Sequence, residues 1–260
     1  MTKIKFIVLL IIFFISCREE KALTENENDV QSFQTYISKT NEKHLSKNLI
    51  ACAAGGTTGS LDSASHPISI IFLPITDSYD FKYFEMKNDF FPKEDFNNYF
   101  ERKAEPLPLL NGFLKRFVLT ESQKEYWCRV TYLAKDSLHY CNAIRIKYRS
   151  KPTIIANTLV NISYPKPLHP LFNWAADSDG DNFIYFQVVA SEKDSVISAT
   201  YTYEKHFQFY DLSNVVLNVH NVESSPKLKP STKYKFMLMG VSEDNWVNLF
   251  AEVSFRTPSK

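Results

Sequence analysis

The densest run of chemistry-bearing side chains is Asp177-x-Asp179-Gly180-Asp181-Asn182. Alternating carboxylates in a loop can wrap a calcium ion, which takes six to eight hard oxygen ligands. The run lacks the later Glu and the glycine spacing of an EF-hand, and Asp, Gly and Asn are also ordinary turn residues. Asp177, Asp179 and Asp181 are therefore the candidate metal ligands, and Ca2+ is the only candidate cofactor. A second loop, Gly55-Gly56-Thr57-Thr58-Gly59-Ser60, is rich enough in glycine to suggest a phosphate cradle. It lacks the lysine and the strand–loop–helix setting of a P-loop. The six histidines are scattered, none in an HExxH pattern, and Ser60 has no G-x-S-x-G environment. Glu101, Glu105, Asp194 and Glu204 are acids, but a glycosidase pair is defined by separation in space. No residue is assigned a catalytic role.

Aromatic side chains offer a different chemistry, that of contact. Phe, Trp and Tyr make up 15% of the chain. Tyr201, Tyr203, Phe207 and Phe209 recur at alternate positions; exposed, they would stack on sugar rings or anchor a protein, and buried, they would form a sandwich core. Trp246 lies in Asp244-Asn245-Trp246, between two apolar runs, and is expected at an exposed hairpin tip. Trp127 alternates out of phase with Tyr126 and Cys128 and is a further exposed candidate.

The amino terminus supplies an address. Lys3 and Lys5 precede an apolar run, Phe6 to Ile15, of signal-peptide length and too short to span a bilayer. The run ends Phe14-Ile15-Ser16-Cys17, which resembles the lipobox of bacterial lipoproteins, with Phe14 where Leu is usual. The resemblance implies a diacylglyceryl group on the Cys17 thiol and cleavage before it, and two or three acyl chains anchor stably where one is marginal. Arg18-Glu19-Glu20-Lys21 resembles the export tag of some Gram-negative surface lipoproteins and also fits a solvated linker. The expected location is the outer membrane, lipid-anchored, on the periplasmic or the cell-surface side.

Loss of Lys3 and Lys5 with the signal would turn the whole-chain charge of +1 into −1. Such a balance leaves no electrostatic footprint for nucleic acid. Beyond Cys17 the chain has Cys52, Cys128 and Cys141. They permit at most one bridge, with Cys128 and Cys141 the nearest pair, or act as small buried hydrophobes.

The elements that must position these residues read as strands. Ile68 to Ile75, Tyr79 to Met86, Phe113 to Leu119, Tyr126 to Leu133 and Tyr140 to Tyr148 are strand-like, with Asn111-Gly112 a tight turn. A second set covers 154–162, 171–174, 183–189, 196–203, 215–219, 233–241 and 249–256. The expected fold is all-β: two tandem immunoglobulin/fibronectin type III-like sandwiches after a signal segment and a polar tether. The boundaries are 1–16 for the signal, 17–47 for the lipidated Cys and a tether with a short helix around Val30 to Ile37, 48–150 for the first sandwich and 151–260 for the second.

Residues of the second half carry a closer likeness. Trp174, the stretch Leu228-x-Pro230-x-x-x-Tyr234-x-Phe236 and the closing Val253 to Thr257 resemble a fibronectin type III domain. That likeness implies a tyrosine corner at Tyr234 and no activity. Tyr185 to Val189 and Val241 to Leu249 also look like stretches of other bacterial lipoproteins. The expectation is a non-catalytic binding module for a protein or glycan, anchored in a lipid membrane. Its competitors are a structural subunit of an envelope assembly and a polysaccharide hydrolase.

Overall fold

The computed structural model describes residues 30–40, 44–55, 68–119, 124–175, 181–222 and 224–259. The lipobox, Cys17, Asp177 and Asp179 lie outside them.

The first sandwich is built from β1 (His44–Leu49), β2 (Ala51–Gly55), β3 (Ile68–Phe72), β4 (Tyr79–Met86), β5 (Tyr99–Arg102), β6 (Leu107–Leu109), β7 (Leu114–Leu119), β8 (Trp127–Ala134), β9 (Ser137–Cys141) and β10 (Ile144–Arg145). One sheet has the order β1-β9-β8-β4-β5, with β10 also on β8; the other is β2-β3-β7-β6. The expected face of β8, Tyr126, Cys128, Val130 and Tyr132, points into the core between them. The expected strand over 140–148 is instead two pieces, β9 and the two-residue β10. Asn111 (φ 53°) and Gly112 (φ 85°) turn β6 into β7, as that dipeptide requires.

The tether reading is corrected over its second half. A helix, α1 (Phe33–Lys39), starts at Ser32, whose hydroxyl caps Thr35 N–H. Phe33 and Tyr36 lie one turn apart on one face. Both bury against Phe84, Tyr99, Leu133 and Leu138, on the outer side of the first sheet. The Tyr36 hydroxyl donates to Asp80 at 2.7 Å. The helix lies where one is expected, but its docking is not what a polar tether implies, and residues 30–40 belong to the folded body.

The second sandwich contains β11 (Ile154–Ile155), β12 (Val160–Lys166), β13 (His169–Trp174), β14 (Ile184–Ser191), β15 (Val196–Thr202), β16 (His206–Gln208), β17 (Val215–Asn218), β18 (Lys233–Val241) and β19 (Val247–Arg256). The sheet β12-β13-β16 faces the sheet β11-β19-β18-β14-β15-β17. Between them Phe172 stacks on Phe236 at 3.9 Å, flanked by Trp174. The tyrosine corner is present: Lys229 N–H donates to the Tyr234 hydroxyl at 2.9 Å. The chain is thus all-β in tandem fibronectin/immunoglobulin-like sandwiches.

The two sandwiches share a third core. β14 and β18 are buried on both faces. Tyr185, Val189, Phe236 and Leu238 fill their own sandwich. The alternate residues Phe186, Val188, Met237 and Met239 meet Ala54, Ile71, Leu110 and Leu114 of the first. Along this seam the Thr153 hydroxyl accepts from Gly55 N–H at 2.9 Å and donates to the Val247 carbonyl at 2.8 Å. Ala53 N–H donates to the Asn245 carbonyl at 3.0 Å, and Asn245 Nδ2 donates to the Ala143 carbonyl at 3.0 Å. The junction is a sewn interface rather than a hinge.

Candidate interaction surface

The seam determines which expected contact residues are accessible. Trp246 is not at an exposed tip: it is 0% exposed and packs into the core of the first sandwich. A hairpin tip is solvated in a lone domain, but here the β18–β19 turn inserts into its neighbour. Tyr201 is half-buried, packed against the shared core and stacked on Phe186 at 4.6 Å. Burial pushes its hydroxyl pKa far up. Phe207 and Phe209 fill the core of the second sandwich.

Tyr203 differs. It lies just past the end of β15, two residues beyond the half-buried Tyr201, and is 56% exposed. Its ring meets the 51%-exposed Phe183 edge-on at 5.6 Å and 70°. Phe183 also lines an open cleft of about 450 Å³, together with Lys147, Asp181, Asn182, Ser242, Glu243 and Asp244. Lys147 comes from the first sandwich and the rest from the second, so the cleft lies on the seam. Asp181 and Tyr203, far apart in the chain, are connected through Phe183. Of the expected contacts among the described residues, these two are exposed.

The cleft is held in shape by hydrogen bonds and ion pairs. Asp244 binds Lys147 at 2.7 Å and accepts from the Ser242 hydroxyl at 2.6 Å. Asp181 pairs with Lys151, which holds its carboxyl below the usual range. Asn182 Oδ1 accepts from Asn248 Nδ2 at 3.2 Å. A Cβ on Gly240 would sit 2.8 Å from the Asn182 side chain, so only glycine lets that amide lie where it does. Among the described residues, no three His, Cys, Asp or Glu side chains gather into a group able to hold a metal ion.

A second aromatic feature lies in the segment 88–105, which reads as an aromatic loop or short helix but is not among the expected contacts. The loop from β4 to β5 presents Phe90, 96% exposed, and Phe91 beside it. Two of its carboxylates tie it to the sandwich: Asp89 pairs with Arg145 at 2.5 Å and Glu94 with Arg129 at 2.6 Å. The Arg129 guanidinium is fully buried, also donates to the carbonyls of Cys141 and Lys93 at 2.8 Å, and faces the Phe96 and Tyr99 rings. The paired phenylalanines of an acidic, proline-containing loop were the available signal. Trp127 is half-buried, with Lys93 and Arg145 over its ring.

The groups whose titration moves most are interior. Tyr83 and Tyr126 are pushed far up by burial, Cys52 to about 12 and Cys141 to about 11. Cys52, Cys128 and Cys141 are all free thiols, and Cys141 Sγ accepts from Val130 N–H at 3.1 Å.

No known family profile matches the chain, and no curated protein does. Among solved structures it is similar to the chicken CNTN1 FN1-FN3 domains, at 12% identity and a TM-score of 0.31, over 84% of this chain and 68% of that one. It is also similar to the receptor tyrosine kinase Torso, a neurohormone receptor, at 14% identity and a TM-score of 0.23, over 84% of this chain and 77% of that one. The fold assignment rests on the chain's own strand order, with its tyrosine corner.

Proposed function

We propose that this chain is an exported lipoprotein, acylated on Cys17, that holds a non-catalytic binding module at the outer membrane. The observation that carries the reading is the seam cleft. Two sandwiches fused through a common core give a rigid support, and the seam between them leaves an open, hydrogen-bonding cleft edged by the exposed Phe183–Tyr203 pair. Binding sites favour domain interfaces, and rigid frames present contact groups without an ordering cost. The strongly perturbed tyrosines and thiols sit in cores, where they serve packing rather than proton transfer. Among the described residues no helix is long and apolar enough to cross a membrane. Attachment in this reading belongs to the acyl chains on Cys17.

The test has two arms. Mass spectrometry of the native amino terminus should find diacylglyceryl-Cys17; an unacylated start ends the anchor reading. Capture from envelope fractions with the native protein should recover a ligand, glycan or protein, that the F183A/Y203A protein no longer retains. Equal capture by both would remove the cleft from the reading. A structural role in an envelope assembly has one observation behind it: β17 is a sheet edge with Val216 and Leu217 exposed.

A further inference from the structure

We infer that the seam cleft recognises a carbohydrate chain of uncharged or amino-bearing sugars, which rests on the binding-module reading above. The arrangement of polar and apolar groups points away from a protein partner. Protein interfaces place apolar side chains at a dry centre and polar ones at the rim. Here the lining is polar throughout apart from one ring: Lys147, Asp181, Asn182, Ser242, Glu243 and Asp244 stand with Phe183, whose ring meets that of Tyr203 edge-on. Sugars have the matching anatomy, with hydroxyl groups around a ring whose C–H face is apolar. Carboxylates and amides accept and donate to hydroxyls, and an aromatic ring covers the C–H face.

The polar groups are pre-positioned. Asn182 is fixed by Asn248 and by the missing side chain of Gly240. Asp244 is fixed by Ser242 and Lys147. Asn248 is almost wholly buried behind Asn182, and its Oδ1 has no hydrogen-bond partner within the chain. Charge narrows the ligand class. Asp181, Glu243 and Asp244 outnumber Lys147 and Lys151, so the cleft opposes phosphate, sulfate and uronate groups and tolerates hydroxyl or ammonium ones.

The test is a binding panel with the intact lipidated protein in detergent, using neutral, amino-bearing and acidic oligosaccharides as probes. Neutral or amino sugars should bind and acidic ones should not. F183A and Y203A should each weaken binding about tenfold, one ring contact, with unchanged melting temperature because both side chains are half exposed. D244N should weaken it without moving the aromatic pair. Acidic sugars bound in preference would overturn the ligand class. A panel with no binder, beside an envelope protein captured through Phe183 and Tyr203, would overturn the carbohydrate inference and leave the binding-module reading standing. If neither sugar nor partner depends on those residues, both fall.

Discussion

The indole Nε1 of Trp246 donates to the carbonyl of Lys151 at 2.7 Å. Trp246 belongs to the second sandwich and packs in the core of the first, and Lys151 belongs to the segment that joins them. One side chain therefore fixes linker and neighbour together, and the pair should unfold as one unit. Trp246→Ala should cost about 3–5 kcal/mol, typical of deleting a buried tryptophan. It should also split one denaturation transition into two. Trp246→Phe keeps much of the packing and loses the hydrogen bond, so it should cost less and keep a single transition. Urea unfolding followed by circular dichroism decides, and a single unshifted transition in the alanine protein would refute the coupling.

Thr153 makes the same point through the backbone. Its hydroxyl accepts a hydrogen bond from Gly55 N–H and donates one to the Val247 carbonyl, with its residue almost fully buried. Thr153→Val keeps the shape and leaves both partners without a bond. The expected loss is about 1–3 kcal/mol, the cost of stranding buried polar groups. Thr153→Ser, which keeps the hydroxyl, should recover most of it in the same unfolding measurement.

These two residues show what the chain disclosed and what it withheld. The strand over 233–241 was legible to the residue, because alternation and the Leu228-to-Tyr234 corner are local signals. Docking of the two sandwiches was not. The unbroken apolar run Phe236 to Met239 reports burial on both faces, but nothing in it names the covering surface. Trp246 was misplaced for that reason: hairpin tips are solvated unless a second body covers them, and the covering residues lie over a hundred positions away. Tyr203 and Asp181 were visible as candidates, but Phe183, which joins them, was read only as the start of a strand. The short helix around Phe33 and Tyr36 was legible, but their docking on the sheet was hidden by the polarity of their neighbours.

Arg129 should control the loop that displays Phe90. It holds the Lys93 carbonyl, which also accepts from the Tyr99 hydroxyl at 2.7 Å. With Arg129→Met, the loop loses its interior tie and the Cys141 carbonyl its partner. Stability should fall by about 1–3 kcal/mol, since the half-exposed Glu94 regains water. Trypsin should cut after Lys93 faster than in the native protein, whereas Phe90→Ser should change neither cleavage nor stability. Limited proteolysis read by mass spectrometry separates the two.

The three free thiols, Cys128 and Cys141 buried and Cys52 half-buried against the shared core, give a direct measure of packing. Burial holds Cys52 near 12 and Cys141 near 11, and the thiolate is the reactive form. The folded protein at pH 8 should resist a thiol reagent at Cys52, Cys128 and Cys141, and all three should react once guanidinium unfolds it. Rapid labelling of Cys52 in the folded state would mean that the shared core opens readily, because Cys52 packs against it.

His139 sets the acid limit. Its ring is nearly buried, stacks on Tyr132 at 5.1 Å, and through Nδ1 contacts Asn48 Oδ1 at 2.7 Å. Burial lowers its pKa from 6.5. His220 is lowered by the same cause, beside Phe113. A depressed histidine means that, below the unfolded value, the unfolded chain binds a proton that the folded one resists. Stability is therefore level above pH 6.5 and falls as pH drops from there through the folded value. The depressed carboxylates Glu125, Asp181 and Asp211 act in a lower window, below their ordinary values. Unfolding midpoints between pH 7 and pH 5 should thus decline, and His139→Gln should flatten the decline while lowering the plateau. An unchanged slope in that variant would transfer the effect to His220, which His220→Gln tests in the same titration.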